Sequence, residues 1–126
     1  ATLHTNSAAQ TVDRIVDVFP EHSKSQVRMQ LSATLEAVFS ERLVPSLNGG
    51  RVPATEIMVA TQAVRNVIRE GKTHLLDNII QTSAELGMMT LETNLASLVR
   101  SGKVSLDTAQ SFALRPADLV RLVKGK

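Results

Sequence analysis

The sequence predicts a mostly α-helical fold interrupted by one β-hairpin, and three observations carry that expectation. Most of the chain sets Leu, Ile, Val, Ala and Met at i, i+3 and i+4, the spacing of an amphipathic helix. Aromatic side chains are confined to Phe19, Phe39 and Phe112, so the core must be aliphatic, which suits packed helices. One stretch breaks the helical period: Asn48-Gly49-Gly50 is a turn signal, and a β-branched run follows it. At 126 residues with a 43% apolar share, the chain is one domain or part of one and can bury a core.

Ala1 to Thr5 has the character of a strand end. Asn6 or Ser7 then offers an N-cap to a helix bearing Ala8, Val12, Ile15, Val16 and Phe19, which Pro20 stops. A second helix is predicted from about Ser25 to Glu41, with Val27, Leu31, Leu35, Val38 and Phe39 on one stripe. From Arg42 the period changes. Leu43 and Val44 lead through Pro45 to the Asn-Gly-Gly turn, and Arg51 to Ala60 is extended through Val52, Thr55, Ile57 and Val59, completing a hairpin. Pro45 and Pro53 have no backbone N–H, so both belong at an edge or an irregular position.

Thr61 to Lys72 follows as a short capped helix. The Thr61 hydroxyl can accept from an unpaired amide at the helix start, and Gly71 can take the left-handed conformation that ends it. Val64, Val67 and Ile68 form a narrow apolar stripe, leaving Arg65, Asn66, Arg69 and Glu70 on the other faces. Three or four short helices complete the chain. Thr73 caps one bearing Leu75, Leu76, Ile79 and Ile80 that ends at Gly87. Thr90 caps one with Leu91, Leu95, Leu98 and Val99 that ends at Gly102, and Ser105 one with Leu106, Ala109, Phe112 and Ala113. Pro116 suits the first turn of a last helix with Leu119, Val120, Leu122 and Val123. The Gly-Lys pairs at Gly71, Gly102 and Gly125 are explained by C-capping, and the neighbouring Met88 and Met89 by core filling.

Composition excludes several functions. The net charge of +2 is a balance of 14 basic and 12 acidic residues, interspersed, and the basic tail has no aromatic residues for stacking bases, so no nucleic-acid partner is expected. Without cysteine there is no disulfide, thiol catalysis or cysteine metal site. No apolar run approaches the roughly 20 residues that span a bilayer. The chain opens on ATLHTNSAAQ without an initiator Met, and the expectation is that it belongs to something longer.

Gly71-Lys72-Thr73 has the ending of a phosphate-binding loop, but the motif needs a glycine where this chain has Asn66 and a strand where it has a helix. A C-cap followed by an N-cap explains all three residues. His4, His22 and His74 have no ligand spacing, so no metal site is expected; His22 belongs in a loop and His74 at the surface. His4 lies where a strand hands over to a helix N-terminus, a junction at which free amides and the helix dipole favour phosphate. On spacing alone, local satisfaction of the imidazole at a strand end is the simpler reading. Arg65 and Arg69 likewise leave two readings open, a solvated outer face or a contact surface for another domain or subunit.

Two stretches carry a resemblance. ATLHTNSAAQTVDRIVDVFP, from Ala1 to Pro20, resembles the histidine-box segment of the type IV pilus retraction ATPases, the PilT family of the secretion ATPase superfamily. AVRNVIRE, from Ala63 to Glu70, resembles that family's AIRNLIRE retraction motif, with conservative changes at Val64 and Val67. GGRVPATEIMVAT and ELGMMTLETNLASLVRSGKVS also look like the family's C-terminal region, so the resemblance covers essentially the whole chain.

The resemblance implies the C-terminal end of a RecA-like motor domain over residues 1–60 and a helical subdomain over 61–126. It implies a parent that is a homohexameric, cytoplasmic, membrane-associated ATPase using ATP and Mg²⁺, and partners in the pilus inner-membrane platform. By matching position, His4 and Thr5 would lie near the nucleotide, and Arg65, Asn66, Arg69 and Glu70 would form the retraction motif. No catalytic residue is assigned. The family's phosphate-binding loop and catalytic glutamate would lie upstream, so this polypeptide alone is expected to be inactive. The rival reading is a free-standing, non-enzymatic helical interaction module, and an upstream Gly-x-x-x-x-Gly-Lys-Ser/Thr loop in the reading frame would decide against it.

Overall fold

The computed structural model describes residues 5–125. They form seven helices and a hairpin: α1 (Ala8–Asp17), α2 (Lys24–Thr34), β1 (Ala37–Pro45), β2 (Arg51–Val59), α3 (Gln62–Glu70), α4 (Leu76–Thr82), α5 (Leu91–Arg100), α6 (Leu106–Phe112) and α7 (Pro116–Gly125). The mostly helical fold with one hairpin is therefore as the sequence predicts. The strand end expected from Ala1 lies, but for Thr5, outside the described residues.

The chain divides into two compact units, each with its own aliphatic core. One comprises the described residues up to Ser40 together with Ile57–Met88. Its core gathers Val12 of α1, Val64 and Ile68 of α3, and Leu76 and Ile80 of α4 with Val38, Met58 and Met88. The other comprises Glu41–Glu56 and the described residues from Met89 onward. Here Leu91, Leu95 and Ala96 of α5, Ala109 of α6 and Leu119 of α7 close over Val44, Ala54 and Val104.

Local signals account for most element ends. Ser7, Thr61, Thr90 and Ser105 each accept from the amide three residues on, the N-cap bond that satisfies one free donor of the first turn. Between α1 and α2, a turn of 3₁₀ helix at Glu21–Ser23 brings Lys24 within 3.4 Å of the carboxylates of both Asp17 and Glu21. Those carboxylates, Asp17 foremost, raise the Lys24 pKa above its ordinary value.

Three boundaries differ from expectation. First, α2 ends at Thr34 instead of continuing to Glu41, because Leu35 turns extended (ψ 133°) and Ala37–Pro45 pairs as a strand. Leu35, Val38 and Phe39 satisfy helical spacing. Yet Val38 is buried while Phe39 is 70% exposed, the alternation of a strand with one buried face. Second, Thr73 does not cap α4: its hydroxyl donates to Asp13 Oδ1 at 2.8 Å, and the turn Thr73–Leu75 precedes a helix that stops at Thr82. A further 3₁₀ turn, Ala84–Leu86, completes the stretch before Gly87. Third, Gly125 lies inside α7, so only Gly71 and Gly102 of the three Gly-Lys pairs take the positive φ of a helix terminator.

The hairpin keeps one register from base to tip. Ala60 N donates to Glu36 O at 2.9 Å, and Ser46 N to Gly50 O at 3.0 Å, which brings corresponding pairs together at both ends without a bulge. Both strands are edges of a two-stranded sheet, and Pro45 and Pro53 are exposed, as the missing N–H requires. Within the second unit the hairpin tip is tied to the helices. Leu47 N donates to Lys103 O, Thr55 N to Asn94 Oδ1 at 2.7 Å, and Arg42 Nη1 to Phe112 O at 2.9 Å. No helix among the described residues is long and apolar enough to cross a membrane.

Candidate functional site

The short helix α3 owes its position to both its caps and its apolar stripe. Thr61 Oγ1 accepts from Val64 N at 3.4 Å, and Gly71 closes the other end at φ 73°, with Gly71 N donating to Ile68 O and Lys72 N to Val67 O. Val64 and Ile68 are fully buried and Val67 partly so, which fixes the rotation of the helix. That rotation leaves Arg65 and Asn66 half-buried and Arg69 and Glu70 exposed.

The two arginines meet different surroundings. Arg65 Nη1 donates to the backbone carbonyl of Ser32 at 2.7 Å, within the last turn of α2, where helix carbonyls have no intrahelical donor. Arg69 Nη2 donates to Asn66 Oδ1, which also accepts from Gln62 Nε2 at 3.1 Å. Gln62, Asn66 and Arg69 therefore form one hydrogen-bonded edge along α3, at the i, i+4 and i, i+3 spacings that bring side chains together. Glu70 lies 3.6 Å from Lys72, both exposed, a surface pair worth little to stability.

Sequence reasoning missed the part of this arrangement that belongs to α2. Arg28 packs against Gly71 so closely that a Cβ placed there would lie 3.2 Å from Arg28 Nε. Neither Arg28 nor Ser32 has a local signal, since their partners lie on a helix that follows the hairpin.

His4 lies outside the described residues. Thr5 is half-buried and its hydroxyl is hydrogen-bonded to that of Thr11, which in turn donates to Ser7 O at 2.9 Å. The structure thus does not bring Thr5 together with the α3 residues in any hydrogen bond described. His22 and His74 are exposed, each in a 3₁₀ turn. Among the described residues no three His, Asp or Glu side chains gather as metal ligands would.

No protein-family model matches the chain. Individual relatives do. The chain is 49% identical over 115 residues to the type IV pilus retraction ATPase PilT of Pseudomonas aeruginosa, covering 91% of this chain and 33% of that protein. It is 48% identical over 113 residues to a twitching motility protein of Neisseria gonorrhoeae, covering 89% of this chain and 30% of that protein. Among solved structures, the pilus retraction motor PilT with bound ADP superposes with a TM-score of 0.84 at 38% identity, over 95% of this chain and 33% of that one. The chain thus spans about a third of the length of the curated relatives it matches.

Proposed function

Because the chain belongs to the PilT family of type IV pilus retraction ATPases, we propose that it serves as the C-terminal part of a hexameric motor that withdraws pili and so drives twitching motility. The motor is cytoplasmic and peripheral to the membrane, and its partners are the other subunits and components of the pilus inner-membrane platform. The chain would supply the end of that motor's RecA-like core and its helical subdomain.

One observation carries the coupling role. The AVRNVIRE helix buries Val64 and Ile68 and turns Arg69 and Glu70 outward, so these two charged residues remain available to a partner while the apolar ones hold the helix in place. A guanidinium in such a place suits a carboxylate, which it can bind through two parallel N–H donors. The helix passes on the state of the nucleotide, and the nucleotide is held elsewhere.

ATP and Mg²⁺ belong to the motor as a whole, with His4 and Thr5 in the neighbourhood of the nucleotide. The described residues do not themselves fit a Mg²⁺-triphosphate. Gly71 N is engaged by Ile68 O and the Thr73 hydroxyl by Asp13, so the Gly-Lys-Thr segment offers no phosphate cradle, and no acidic cluster is at hand for the metal. The purified 126-residue polypeptide should therefore release no phosphate from ATP above a buffer blank. Steady turnover by pure material would overturn this assignment.

A further inference from the structure

The Arg65 bond and the Arg28 contact together describe how α2 and α3 pack. An early residue of α3, Arg65, meets Ser32 late in α2, while the terminator of α3, Gly71, meets Arg28 nearer the start of α2. The two helices are therefore antiparallel, and each places an arginine at the other's C-terminus. Helix C-termini carry partial negative charge and unpaired carbonyls, so both placements are favourable. Arg69 takes no part in this exchange: its guanidinium is bonded to Asn66 of its own helix and exposed.

We infer that the two arginines of the AVRNVIRE segment do different work. Arg65 and Arg28, a residue outside the motif, are a reciprocal clasp that positions α3 on α2. Arg69 is the residue that meets the partner, held for that contact by Asn66. Asn66 Oδ1 accepts from Gln62 as well as Arg69, so the Arg69 side chain is restrained before any partner arrives, which lowers the entropy lost on contact. The division rests on the proposal that α3 couples the motor to its partner.

The test uses single variants of the full-length ATPase, each followed by thermal unfolding and by pilus retraction. Arg65→Ala should lower the melting temperature by about 2–4 °C and Arg28→Ala by about 1–2 °C, whereas Arg69→Ala should leave it within about 0.5 °C. Arg65→Lys, which can still donate to the Ser32 carbonyl, should recover most of the melting temperature and retraction; Arg69→Lys, which cannot form the bidentate contact, should recover little retraction. An Arg69→Ala loss of stability equal to that of Arg65→Ala would overturn the division, as would an unchanged melting temperature in both clasp variants. Retraction intact in Arg69→Ala, with the melting temperatures as expected, would overturn the coupling proposal and leave the clasp standing.

Discussion

Glu92→Ala is expected to lower the stability of the second unit by about 3 kcal/mol, the lower part of the range for breaking a buried charged pair. Glu92 is 1% exposed, in the first turn of α5. Its Oε2 accepts from Leu114 N at 2.8 Å and Arg115 N at 2.9 Å, and its Oε1 from Arg115 Nη2 at 3.0 Å. The two amides belong to the link that enters α7, so the carboxylate fixes where that helix starts. Alanine leaves both amides without their acceptor. The Arg115 side chain is 31% exposed and also lies 3.6 Å from Asp118. It can therefore turn to water and to that neighbour, which places the cost toward the low end of the range. Glu92→Gln retains one carbonyl oxygen and should cost roughly half as much. Urea unfolding with amide exchange at Leu114 and Arg115 checks both values; an alanine variant within about 1 kcal/mol of the parent would contradict them.

Replacing Arg65 and Arg69 together by Ala in the full-length ATPase is expected to abolish retraction while hydrolysis stays within about threefold. A charge-assisted hydrogen bond contributes about 1.5–3 kcal/mol, equivalent to roughly 10- to 150-fold in the affinity of a contact that depends on it. If Arg69 meets the partner as proposed, losing it would weaken that link by this factor, and losing the Arg65 bond to Ser32 would loosen the helix that presents it. On the proposal that the nucleotide is held elsewhere in the motor, hydrolysis should be affected far less. Single-cell twitching beside phosphate release from the same variant measures the two. Equal loss of both would assign the helix to folding or to the active site.

The parts of the fold that were legible in the sequence are those decided within one helical turn. Thr61, Thr90 and Ser105 announce their helices because a hydroxyl needs only the amide three residues on, and Gly71 and Gly102 announce ends because positive φ favours glycine. Leu35 to Phe39 misleads because helical and strand periods coincide over so short a run. Pairing with β2, a partner beyond the turn, decides between them. Thr73 misleads for a related reason, since Asp13 draws its hydroxyl from 60 residues away.

The candidate site divides along the same line. AVRNVIRE is legible as a string, and its stripe of Val64 and Ile68 is legible as a buried face. The bond from Arg65 to Ser32 spans 33 residues and the bonds to Glu92 span 22 and 23, so neither has any periodic or motif signal. Spacing makes Arg65 and Arg69 equivalent. Only the packing of α2 separates them, by giving one a carbonyl and leaving the other exposed.

The coupling account is tested most directly by Arg69→Ala in the full-length ATPase, with ATP turnover and pilus retraction measured on the same variant. Arg69 is exposed and bonded only within its own helix, so its removal should leave the fold undisturbed. The expected result is a loss of retraction of tenfold or more with turnover within about twofold and an unshifted melting temperature. Retraction at the parental rate, or turnover falling in step with retraction, would contradict it.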